Sequence, residues 1–101
     1  MKNVLVFPAS TEIGLEIHRA MFGVKDVMLF GADSIPNQHG AYVYSHYLNE
    51  LIPFANDIEF LPKLREIVKK YRIDAIFPAH DDVITKIANH AIEIGCKIIT
   101  S

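Results

Sequence analysis

Short runs that are apolar on both faces alternate along this chain with stretches whose apolar residues recur at helical spacing. That alternation restricts the fold more than any other feature. Val4-Leu5-Val6-Phe7 has no polar face, so it fits a strand covered on both sides, as in a parallel sheet. From residue 11 to 22, Ile13, Ile17, Ala20 and Met21 share one helical face, and Gly23 follows as a stop. Val27-Met28-Leu29-Phe30 is a second strand ending at Gly31, and Leu51-Ile52-Pro53-Phe54 is expected as a short third strand on an edge, where proline is tolerated. Ile58, Leu61, Leu64, Ile67, Val68 and Tyr71 form a helical stripe. Asn56 and Glu59 have capping-box spacing ahead of it, so Pro62 either kinks this helix or marks its start near Leu61. Ala75-Ile76-Phe77 is the fourth strand, residues 83–94 a further helix stopped by Gly95, and residues 97–100 the fifth strand.

Strands that alternate with helices through short turns build a parallel sheet with helices on both faces. Right-handed crossovers then favour strand order 3-2-1-4-5, a Rossmann-like α/β three-layer sandwich of about five mainly parallel strands. Residues 32–50 obey neither period, and Tyr42, Tyr44, His46 and Tyr47 within them read as a covering segment or as a face toward a neighbouring domain.

Composition narrows the function classes. Of 101 residues, 50% are hydrophobic, which excludes a disordered chain. Ten basic against twelve acidic residues, with no Lys/Arg stripe, argue against nucleic acid as a partner. The apolar run before Pro8 is too short for a signal peptide or a membrane span. The single cysteine, Cys96, has no internal partner and fits a reducing, cytoplasmic setting. It reads as a buried thiol rather than a nucleophile.

In doubly wound sheets, ligands bind at the carboxyl ends of the strands where the winding direction switches. Two loops sit there. The first, Pro8-Ala9-Ser10-Thr11-Glu12-Ile13-Gly14, keeps only the last glycine of a dinucleotide fingerprint. The acid after strand 2, Asp33, therefore has little to act with. Ser10 or Thr11 suits a helix cap and Glu12 the first turn, and the loop's amides could also hold a carboxylate or phosphate. In the second loop, Asp81 reads as a cap and Asp82 as a first-turn acid. His80 has no capping explanation and is the sharper ligand candidate. His39 and Glu12 offer no metal-ligand spacing with it.

The segments Val4-Leu5-Val6-Phe7-Pro8-Ala9-Ser10-Thr11-Glu12-Ile13-Gly14-Leu15-Glu16-Ile17, Gly31-Ala32-Asp33-Ser34 and Asp74-Ala75-Ile76-Phe77-Pro78-Ala79-His80-Asp81-Asp82 resemble the amino-terminal domain of ATP-grasp proteins. The branch they resemble is the one similar to the carbamoyl-phosphate synthase large subunit. The resemblance implies a domain that precedes the ATP-grasp fold and is not catalytic alone. The parent would use ATP and magnesium to join a carboxylate to an amine through an acyl phosphate. Residues 1–101 are then one domain of a longer chain, with no cofactor of its own.

On that reading Ser10, Thr11, Glu12, His80, Asp81 and Asp82 are substrate-binding. The expected partners are the parent's remaining ATP-grasp domains and a small-molecule substrate, with homo-oligomerisation open and no membrane. The family's lysines, acidic magnesium ligands and glycine-rich loop have no counterpart in this sequence. Two readings compete with this one: a stand-alone nucleotide- or anion-binding module, and a small enzyme using Asp81 or His80 as general acid or base.

Overall fold

A computed structural model describes residues 1–100. The elements in chain order are β1 (Lys2–Phe7), α1 (Glu12–Met21), β2 (Val27–Gly31), α2 (Gly40–Val43), β3 (His46–Tyr47), α3 (Phe60–Lys70), β4 (Ala75–Pro78), α4 (Asp81–Ile87), α5 (Ala91–Ile94) and β5 (Lys97–Ile98). All strand pairs are parallel and the sheet order is 3-2-1-4-5, as the alternation predicts. β1 is central, with Val4 opposite Leu29 on one side and Ala75 on the other.

Alternate residues of β1 feed two cores. Leu5 and Phe7 join Ile76 and residues of α3, α4 and α5 on one face, while Val6 joins Ile17 of α1 and Tyr44 on the other. This explains why β1 has no polar side: Leu5, Val6 and Phe7 are all at most 1% exposed. Truncating such a side chain to alanine typically costs about 2–5 kcal/mol. α1 covers one face, and the chain crosses over between β3 and β4, so later helices cover the other. The winding direction therefore changes between β1 and β4.

Two of the expected elements are corrected. The third strand is His46–Tyr47, paired to Phe30 and Gly31, and not Leu51–Phe54. The latter segment is irregular: it buries Ile52, whose amide donates to the Asp33 carbonyl at 3.0 Å instead of to a ladder. The residue 83–94 helix is two helices, because the backbone leaves helical dihedrals at His90 (φ −121°, ψ 17°) before α5 begins. Gly95 does close it, at φ +92°.

Pro62 lies in the first turn of α3 rather than at a kink. The first helical bond there runs from the Lys63 amide to the Glu59 carbonyl at 3.0 Å, so the amide that proline lacks has no intrahelical partner to lose. No capping box forms. Glu59 makes no side-chain cap, and the Asp57 carboxylate accepts the Glu59 amide at 2.8 Å instead. Among the described residues, no helix is long and apolar enough to cross a membrane.

Candidate functional site

The carboxyl ends of β1, β2 and β4 open into a cleft of about 1150 Å³. It lies where the winding direction changes, the expected ligand position for this architecture. Four of the six residues singled out in the sequence line it: Ser10, Thr11, His80 and Asp82. Glu12 and Asp81 do not. Each is the exposed first residue of its helix, where a carboxylate meets the positive end of the helix dipole.

The first loop is held from several sides. Thr11 is the N-cap of α1: its Oγ1 accepts the Gly14 amide at 2.9 Å and donates to the Ala79 carbonyl at 2.9 Å. One hydroxyl thus starts the helix and ties the β1 loop to the β4 loop. Gly14 is required by space. A Cβ there would sit 2.5 Å from the Ala9 carbonyl oxygen and 2.6 Å from that of Pro8. Its own carbonyl accepts the Tyr44 hydroxyl at 2.6 Å. The last glycine of the fingerprint is present because the helix must approach the strand end closely.

Asp33 organises this end of the sheet. It is 4% exposed and accepts three hydrogen bonds, from the Ser10 amide (3.0 Å), the Ser10 hydroxyl (2.6 Å) and the Tyr47 hydroxyl (2.6 Å). Ser10 Oγ in turn accepts the Gly40 amide at 2.7 Å. Burial, with the bond to Asp33 adding to it, holds the Tyr47 phenol well above its ordinary pKa. Burial does the same for Tyr44, with Asp33's charge as the lesser cause. Tyr44 and Tyr47 therefore cover and brace the site, whereas Tyr42 is exposed. An acid after β2 is where a ribose would be held in a dinucleotide-binding fold. Here its oxygens are occupied by the protein's own donors.

Three of the turn amides are occupied too. The Ala9 amide donates to the Ala32 carbonyl at 2.8 Å, the Ser10 amide to Asp33, and the Gly14 amide to Thr11. A phosphate cradle needs such amides free. No three His, Cys, Asp or Glu side chains come together as a metal site among the described residues. Asp33 and these three amides are therefore not free to hold a pyrophosphate.

At the second loop His80, not Asp81, is the N-cap of α4. Its Nδ1 accepts the Asp82 amide at 3.2 Å, so the ring proton of the neutral imidazole belongs on Nε2. The Asp82 carboxylate lies 3.9 Å from the same Nδ1 and is mostly exposed. Local sequence assigned the cap to aspartate because aspartate caps more often than histidine. Lys86, Asn56, Ile35 and Phe54 also line the cleft and were not singled out in the sequence. Lys86 could have been found from its spacing, four residues after Asp82 on one helical face. Asn56 and Phe54 carry local signals only for a helix cap and a strand, neither of which points to a cleft.

Cys96 is half-buried against the larger core, and its thiol is raised to about 11, first by burial and then by the nearby Asp74 charge. It is not poised as a nucleophile. No family model matches this chain, and neither does any curated protein.

Proposed function

We propose that this chain is the substrate-side amino-terminal domain of an ATP-grasp ligase that joins a carboxylate to an amine, and that it is not catalytic alone. One observation carries this reading. The two loops with the resemblance, 68 residues apart, are tied by the Thr11–Ala79 hydrogen bond and together edge a single cleft. That cleft lies at the strand ends where a substrate is bound in such folds. Its polar groups suit recognition: Asp82, Lys86 and the His80 imidazole stand beside apolar walls. ATP and magnesium would be held by the parent's other domains, which are also this domain's principal partner.

The test uses the complete reading frame, purified and supplied with ATP, magnesium and panels of carboxylates and amines. ADP and phosphate should form only when both substrates are present. AMP as the product, or no ATP turnover with any pair, overturns the reading. The 101-residue chain alone should not release ADP above background, and turnover by it that survives repurification overturns the non-catalytic assignment.

A further inference from the structure

Asp82 and Lys86 both line the cleft from α4. Their spacing makes them neighbours on the helix surface, where opposite charges ordinarily pair. They form no ion pair with each other among the described residues. The one charged neighbour of the Asp82 carboxylate is His80 Nδ1, at 3.9 Å, which leaves it 84% exposed, and Lys86 has none among the described residues, so both can meet a ligand on one wall. The third charged lining group, Asp33, is already held by three protein donors. Phe54 and Ile35, 56% and 47% exposed, add apolar surface to the same cleft.

A lone ammonium on Asp82 would be opposed by Lys86, and a lone carboxylate on Lys86 would be opposed by Asp82. A dipolar ligand satisfies both and leaves the cleft's charge unchanged. We propose that the cleft receives a zwitterionic α-amino acid with an apolar side chain. Its ammonium pairs with Asp82, its carboxylate with Lys86, and its side chain lies against Phe54 and Ile35. This deepens the substrate-side reading above and rests on it for the reaction, although binding is measured separately.

The experiment follows backbone amide shifts by NMR while the protein is titrated with L-phenylalanine, phenethylamine or 3-phenylpropionate. The last two are the same body with only the positive or only the negative pole. L-Phenylalanine should shift residues 33–38, 54–56 and 80–86, and bind at least about tenfold more tightly than either analogue, the size of one charge-assisted hydrogen bond. Lys86→Met should reduce L-phenylalanine to the level of phenethylamine without weakening phenethylamine. Asp82→Asn should reduce it to the level of 3-phenylpropionate.

Analogues that bind as well as L-phenylalanine overturn the proposal. So does a Lys86→Met variant with unchanged selectivity, or the absence of shifts in those segments at millimolar ligand. Because Asp82 lies in the first turn of α4, the analogue comparison on the unaltered protein stands independently of how that variant folds. A complete enzyme that forms ADP with other substrates while this domain ignores amino acids refutes the inference and keeps the ligase reading. Selective binding without ATP turnover does the reverse.

Discussion

Replacing Asp33 tests whether one buried carboxylate holds the site together. Asp33→Ala leaves the Ser10 amide, the Ser10 hydroxyl and the Tyr47 hydroxyl without their acceptor. A hydrogen bond to a charged group contributes about 1.5–3 kcal/mol net. The three share one carboxylate, so they do not add. The expected loss is about 3–5 kcal/mol, because three part-buried donors are left unsatisfied at about 1–3 kcal/mol each and do not add fully.

Asp33→Asn separates charge from shape. Its oxygen can keep the Ser10 amide, but its NH₂ then faces the two hydroxyls. Ser10 Oγ keeps a second lone pair beside the one that accepts the Gly40 amide, so either hydroxyl can turn and accept, but both lose the charged acceptor for their own protons. The expected loss is smaller, about 2 kcal/mol, roughly one charge-assisted bond. Urea denaturation followed by far-UV circular dichroism reads both values. In thermal melts, Asp33→Ala should lower Tm by roughly 12 °C or more, at about 4 °C per kcal/mol for a domain of this size. An alanine variant within about 0.5 kcal/mol of the parent would refute the clamp. It would also return Asp33 to the pool of groups free to meet a ligand.

Gly14→Ala should destabilise by about 1–3 kcal/mol, the usual cost of overpacking, because backbone oxygens stand where the methyl must go; equal stability in denaturant would show that α1 can shift away. His80→Ala should cost about 0.5–1 kcal/mol and His80→Asn almost nothing, since asparagine restores a cap; equal losses in the two melts would argue against the cap. Glu50 is held down to about 2 by the Tyr71 hydroxyl foremost, then by Lys70 and Lys63, from an ordinary 4.5. A depressed carboxylate contributes stability in full above its unfolded pKa and loses it as pH falls through the folded value. The stability gap between the parent and Glu50→Gln should therefore be constant above about pH 5 and close between about pH 4.5 and 2. A gap independent of pH in paired acid titrations would contradict it.

The order of the elements and the sheet were legible in the sequence because both follow from short-range patterns. A run such as Val4–Phe7 with no polar side needs cover on both faces, and right-handed crossovers leave few ways to arrange five such strands. The two loops at the strand ends follow from that topology, and with them four of the cleft-lining residues. What tertiary structure alone decided depends on groups that meet across the fold. β3 is two residues long, too short for a period, and exists because Phe30 and Gly31 offer it an edge. Leu51–Phe54 has better strand composition but meets no such edge. Asp33 stands after β2, where a dinucleotide fold keeps its ribose acid, and the weak glycine pattern leaves it no role in the sequence. Its partners, 23 and 14 residues away, make it a clamp. His80 became a cap because the backbone at the end of β4 aims its ring at the Asp82 amide. Periodicity records which face of an element is buried. It does not record which donor reaches which acceptor, because that depends on how the elements pack together.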